Sequence, residues 1–179
     1  EICACLVGSE MCIRDRLTLK NRYEFWFTMV ALHKIGAVAI PATHMLKLHD
    51  IDFRIKNANV KLIVTVEEDR LIPDYEEAQK ELGTDLVKCV IERDLDGWIN
   101  FNKAIEEESD EFERPTGDDE VLADDISLIY FTSGTSGLPK MVAHKQTYGL
   151  GHIPTAKYWH KVEEDGIHHT CLLYTSPSP

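Results

Sequence analysis

The sequence predicts an α/β fold, with helices alternating with the strands of a mostly parallel sheet. Three observations predict it. Short apolar runs rich in β-branched residues recur at positions 37–40, 61–66 and 86–91. Segments with apolar residues at helical spacing stand between them, and the connections are short, the signature of a parallel sheet with helices on its faces. The length of 179 residues gives room for one such domain with a buried core, and not for two.

Taken in order, Leu17-Thr18-Leu19-Lys20 is a short alternating run. Asn21, with Glu24 three positions later, forms a capping-box pattern and starts a helix expected over 22–35. Phe25, Trp26, Phe27, Met29, Val30, Leu32 and Ile35 wrap most of its circumference, so the helix is expected to be buried, with Gly36 as its left-handed stop. Residues 37–40 read as a strand ended by Pro41. Ile51, Ile55 and Ala58 repeat at helical spacing and place a helix over 50–57. Residues 61–66 are the clearest strand of this half. A helix over 72–82 carries Pro73 early, where no N–H is required, and stops at Gly83. A strand over 86–91 follows, and residues 97–101 lead into a short amphipathic helix over 102–107. Beyond Lys145 the pattern is helix-like but interrupted by Pro154.

Charge excludes several function classes. The formal net charge is −12, and residues 106–125 alone hold eleven acidic side chains against Arg114, leaving the remainder near neutral. This acidic segment has few large apolar residues, only Phe112, Val121 and Leu122, and reads as a solvated loop on the outside of the domain. Without a cluster of Lys and Arg, neither nucleic acid nor an anionic membrane is expected as a partner. No apolar run reaches the roughly twenty residues of a spanning helix. Asp118, Asp119, Glu120, Asp124 and Asp125 lack the glycine-punctuated spacing of a calcium loop. The histidines at 144, 152, 160, 168 and 169 put no pair on one helical face, so no metal site is expected. Cys3, Cys5, Cys12 and Cys171 lie in the terminal segments and only Cys89 in the body. No disulfide framework is expected, and the chain is placed in the cytoplasm.

The chemistry-bearing stretch lies between two further strand-like runs, 126–131 and 141–144. They are joined by Thr132, Ser133, Gly134, Thr135, Ser136, Gly137, Leu138, Pro139 and Lys140. Such a loop has little to offer a core. Gly134 and Gly137 let backbone N–H groups approach a ligand without a Cβ in the way. The four hydroxyls donate to oxyanions and Lys140 supplies a mobile positive charge, so phosphate is the expected guest. A Walker A loop is excluded: five positions after Gly134 stands Pro139, and a strand rather than a helix follows Lys140. A ligand-free Ser/Gly hairpin loop is the bland reading, but a two-residue turn would suffice for that. His144, on the strand leaving the loop, either faces the same ligand or is a plain strand histidine.

The run Tyr130-Phe131-Thr132-Ser133-Gly134-Thr135-Ser136-Gly137-Leu138-Pro139-Lys140 resembles the ATP-phosphate loop of the adenylate-forming (AMP-binding) superfamily, which includes acyl-CoA synthetases, adenylation domains and luciferases. Residues 34–41 resemble the passage from helix to strand in that family. Residues 97–101 and Met141, where most members have glycine, resemble its medium-chain acyl-CoA synthetase branch. The resemblance implies that residues 17–170 are an incomplete part of the large N-terminal domain of such an enzyme. It also implies ATP, CoA and a carboxylic acid as small-molecule substrates, with Mg²⁺ held by residues mostly outside this chain. Lys140 would act on the departing pyrophosphate, with residues 132–139 binding the phosphates. The motifs that hold Mg²⁺ and ribose, and the C-terminal lysine, follow this loop in the family, so the chain is expected to be inactive alone. Residues 1–16 and 171–179 match nothing in the pattern. They resemble translated sequencing adapters and are expected to be non-native tails.

Overall fold

The computed structural model describes residues 14–19, 22–68, 70–133 and 138–166. Cys3, Cys5, Cys12, Cys171, Asn21 and Gly134 to Gly137 lie outside them. The described residues form two compact units, the first ending at Gln146 and the second starting at Thr147.

The first unit is built on one sheet whose strands run β1 (Arg14–Thr18), β2 (Val38–Pro41), β3 (Leu62–Thr65), β4 (Val87–Val90), β5 (Ile99–Asn100), β6 (Ile126–Thr132) and β7 (Lys140–Lys145). Their order across the sheet is β5-β4-β3-β1-β2-β6-β7. All neighbours are parallel except β6 and β7, which pair antiparallel. Helices α1 (Tyr23–Ile35), α2 (Leu48–Ala58) and α3 (Leu71–Leu82) connect the first four strands, and α4 (Phe101–Glu107) follows β5. The expected α/β alternation is thus present. β1 feeds β2 on one side of the sheet order while β3 feeds β4 on the other, so right-handed crossovers put α1 on the face opposite α2 and α3. Consistent with this, α2 and α3 pack on each other.

A parallel sheet covered on both faces needs strands that are apolar throughout, and β3 meets this with Leu62, Ile63, Val64 and Thr65 all buried. Ile51, Ile55 and Ala58 of α2, and Leu71, Tyr75 and Ala78 of α3, supply the covering layer. Helix ends follow the chain's punctuation. Gly36 sits at φ 76° with its N–H on the carbonyl of Leu32, and Gly83 at φ 60°. Asn100 caps α4 by accepting from the backbone N–H of Lys103 at 3.2 Å.

Three features depart from the sequence reading. The helix expected to be buried all round is not: α1 buries Glu24, Thr28 and Leu32 along one stripe, while Trp26 stays 67% and Phe27 59% exposed. A helix can present only one face to a sheet, and among the described residues nothing covers the opposite face of α1. Among the described residues β1 begins at Arg14, ahead of the Leu17 from which the body was expected, and it occupies the middle of the sheet between β3 and β2. The two-residue β5 was also not anticipated, being too short to show a period.

β1 carries two fully buried charged residues. The Arg16 guanidinium donates through Nη1 to the carbonyl of Ile51 at 3.4 Å and lies 5.6 Å from the Tyr75 ring centroid. Its Nε and Nη2 have no hydrogen-bond partner. Burial pulls its pKa down from the usual arginine value. Both carboxyl oxygens of Asp15 lack partners, and burial pushes its pKa up to about 8. Thr18 and Tyr75 share a hydroxyl–hydroxyl hydrogen bond close by.

The acidic segment is largely exposed, with a single 3₁₀ turn at Gly117–Asp119. It is held near its ends: Lys34 Nζ lies 5.4 Å from the Phe112 ring centroid, and Val121 packs against Gly36. The second unit contains α5 (Tyr148–Gly151) and a π-helical turn (Thr155–Trp159), the irregular helix expected there. The rings of Tyr148 and His152 meet edge to face at 4.5 Å within it.

Asp15 ties stability to pH. Its folded pKa lies above the unfolded value of 3.8, so between pH 4 and about 8 the folded chain holds a proton that the unfolded chain has released. Stability is therefore expected to fall as pH rises across that window, and Asp15→Asn should abolish most of the slope in urea denaturation while raising stability at pH 8. At Gly36 an added Cβ would stand 2.9 Å from Val121 Cγ2, whereas at Gly83 nothing lies within 4 Å. Both positions have positive φ, so each alanine variant is expected to lose about 1 kcal/mol from backbone strain. Gly36→Ala should lose measurably more than Gly83→Ala in thermal unfolding.

Candidate phosphate-binding hairpin

β6 and β7 form the two arms of the Ser/Thr/Gly loop. Ser127, Leu128 and Ile129 are buried, Tyr130 and Phe131 half-buried, and Thr132 exposed, so the strand leaves the core as it approaches the loop. The reason is the length of β2. It meets β6 at the register pair Ala39 and Leu128 and ends at Pro41, so Phe131 lies past its end. Beyond that point β7 is the one strand partner of β6 among the described residues, through Phe131 with Met141 and Thr132 with Lys140.

The predicted site residues that the structure describes fall at the mouth of this hairpin. Thr132 ends β6, Ser133 follows it, Leu138 and Pro139 precede β7, and Lys140 begins it. Thr132 and Lys140 are directly opposite, and the Thr132 hydroxyl donates to the Lys140 carbonyl at 3.5 Å. Directly paired residues of an antiparallel ladder share a face, and alternate residues of a strand return to it. Tyr130, Thr132, Lys140, Val142 and His144 therefore lie on one face, and Phe131 and Met141 on the other. The Tyr130 and His144 rings meet edge to face at 5.7 Å. His144 thus stands on the same face of the hairpin as Thr132 and Lys140. Thr132, Ser133 and Lys140 are exposed, and no ion pair engages the Lys140 ammonium among the described residues.

The opposite face of the hairpin meets α2. The Phe53 and Phe131 rings pack edge to face at 6.4 Å, and the Arg54 guanidinium lies 5.1 Å from the Phe131 ring centroid. Arg54 Nη1 also donates to the backbone carbonyl of Asp50 at 3.0 Å and to its Oδ1 at 3.1 Å. Partial burial works to raise the Asp50 pKa. The hydrogen bond from Arg54, the charge of His49 and the backbone N–H of Lys47 outweigh it and hold the carboxyl below its usual range. Sequence reasoning missed Phe53 and Arg54, since their position beside Phe131 is set by the fold. At the foot of the hairpin the Ser127 hydroxyl donates to the Lys145 carbonyl at 3.0 Å, and Lys145 pairs with Asp124. Among the described residues no group of three or more His, Cys, Asp or Glu side chains is arranged to hold a metal ion. The Mg²⁺ implied by the sequence resemblance finds no such group among the described residues.

Residues 16–177 match the family model described as AMP-binding enzyme. The chain belongs to the AMP-binding enzyme family. Among curated relatives, the mouse mitochondrial acyl-coenzyme A synthetase ACSM5 is 34% identical over 158 residues, which cover 86% of this chain and 26% of the relative. Human mitochondrial ACSM2A is 35% identical over 132 residues, covering 73% of this chain and 22% of the relative. The chain thus spans about a quarter of the length of the relatives it matches. The acetoacetyl-CoA synthetase from Streptomyces lividans superposes with a TM-score of 0.73 at 18% identity, over 90% of this chain and 26% of that one. The anthranilate CoA ligase AuaEII, solved with anthranoyl-AMP, superposes with a TM-score of 0.71 at 21% identity, over 86% of this chain and 28% of that one. These two likenesses establish the fold. No described helix is long and apolar enough to cross a membrane.

If Lys140 serves a ligand and not the fold, removing it should leave stability alone. Lys140→Ala is expected to change unfolding free energy by no more than about 0.5 kcal/mol, as for other exposed positions. Chemical denaturation of the two proteins checks this.

Proposed function

We propose that this chain carries the ATP-phosphate-binding part of an acyl-CoA synthetase that activates a carboxylic acid as its acyl-adenylate and then transfers the acyl group to CoA. The observation that carries the reading is the stretch from Thr132 to Lys140, whose spacing the sequence shares with the superfamily and whose flanking strands pair Thr132 with Lys140, a lysine whose ammonium is in no ion pair among the described residues. The ACSM relatives support the acyl-CoA branch.

In the proposed reaction a carboxylate oxygen attacks the α-phosphorus of ATP, the bond to the bridging oxygen of the β-phosphate breaks, and pyrophosphate leaves. The CoA thiolate then attacks the acyl carbon and AMP departs. Phosphoryl and adenylyl transfers depend mainly on positioning and on neutralising charge that develops on the leaving group. In this reading the hydroxyls of Thr132, Ser133, Thr135 and Ser136 orient the pyrophosphate oxygens, and glycine at 134 and 137 puts no Cβ in the way of backbone N–H donors. Lys140 places its ammonium where the negative charge accumulates. Met141, where most of the superfamily has glycine, supports the medium-chain branch. Adenylation is proposed to require parts of the enzyme beyond these residues, so the 179 residues alone do not catalyse it. A cytoplasmic location is proposed, whereas the relatives' names place those proteins in mitochondria.

The test is ATP–pyrophosphate exchange in the intact synthetase that contains this segment, with medium-chain acids as substrates. Lys140→Ala is expected to slow exchange about a hundredfold, the usual loss when one charge-stabilising donor is removed. Unchanged exchange would remove Lys140 from this role. ATP binding without acid-dependent exchange would favour a non-catalytic nucleotide-binding module, and exchange with amino acids alone would favour another branch of the superfamily.

A further inference from the structure

We propose that Arg54 is a positioning residue for the phosphate loop, acting through the ring of Phe131. The inference rests on the phosphate-loop reading of residues 132–140. Phe131 is the last half-buried residue before the loop, and it lies where β2 can no longer pair with β6. Its ring is held instead by α2, edge to face against Phe53 at 6.4 Å and below the Arg54 guanidinium at 5.1 Å.

The guanidinium is itself fixed. Its side chain is only 13% exposed, and Nη1 is bound to both the carbonyl and the carboxylate of Asp50, one helical turn earlier. A planar cation held in this way keeps a defined position over an aromatic face, and the contact strengthens as water is excluded. Thr132 is joined to Phe131 by one peptide bond, so tilting the ring moves the first hydroxyl of the loop. Lysine would keep the charge but lose the planar fork that bonds Asp50 and stacks on the ring. Arg54 lies on the face of the hairpin opposite Lys140 and does not touch the phosphates in this scheme. Its effect is on where the loop sits.

The test uses the intact synthetase and separates this role from a general effect on folding. For Arg54→Ala and Phe131→Leu the KM for ATP is expected to rise about tenfold, with the KM for the carboxylic acid unchanged. The double variant should be no worse than either single one, because both remove the same contact. Arg54→Lys should recover only part of the loss. A purely structural residue would lower the amount of folded enzyme, and with it the apparent kcat, without moving the KM for ATP. Active-site titration of each variant separates the two outcomes. An unchanged KM for ATP in folded Arg54→Ala, or multiplicative effects in the double variant, would overturn the proposal while leaving the phosphate-loop reading standing. Absence of acid-dependent exchange in the unmodified enzyme would overturn both.

Discussion

The structure depends on burying a charged strand at the centre of a parallel sheet. β1 pairs with β3 on one side and β2 on the other, so it joins β3-β4-β5 to β2-β6-β7. Such a position normally carries apolar residues on both faces. Here it carries Asp15 and Arg16, both fully buried. Arg16 recovers part of its lost hydration from the Ile51 carbonyl and the Tyr75 ring, contributed by the two helices of one face. Asp15 finds no hydrogen bond and is driven toward its neutral form instead. The backbone ladder of β1 must outweigh this unfavourable burial for the two halves of the sheet to stay joined.

What could be read from the residues alone follows the range of the interactions. Helix ends at Gly36 and Gly83 were legible because a left-handed stop is a one-residue property. The strands at 62–65 and 87–90 were legible because a short β-favouring run is local too. The loop was legible through its own composition and spacing. The exposed aromatic face of α1 was not, because apolar residues around a helix do not say how much partner surface the fold supplies. Nor was β1 before Leu17, since charged residues in sequence give no sign of a central strand. Phe53 and Arg54 reach Phe131 only after the sheet has brought α2 and β6 together.

The acidic segment shows how net charge and fold can be kept apart. It accounts for most of the chain's net negative charge, yet it touches the domain at few points, among them Lys34 on Phe112, Val121 on Gly36, and Asp124 on Lys145. Only the contact at Gly36 depends on close packing. Between such points its carboxylates stay in water, where mutual repulsion is screened within about 10 Å at ordinary salt. The β6–β7 hairpin therefore follows a highly charged segment without drawing that charge onto the face that carries Thr132 and Lys140.

The pairing of β2 with β6 also sets an order in time. The two arms of the hairpin are close neighbours in the chain and can zip within microseconds. Ala39 and Leu128, by contrast, are separated by almost ninety residues. Closing so long a loop is slow and entropically unfavourable until β1, β3 and their helices provide a surface to dock on. The hairpin that carries the ligand loop can therefore be among the first pieces to take shape and among the last to be seated. Its geometry before docking is that of an isolated ribbon, without α2 behind Phe131, so the packing of Phe53 and Arg54 on that ring arrives with the last long-range closure and not with the formation of the hairpin.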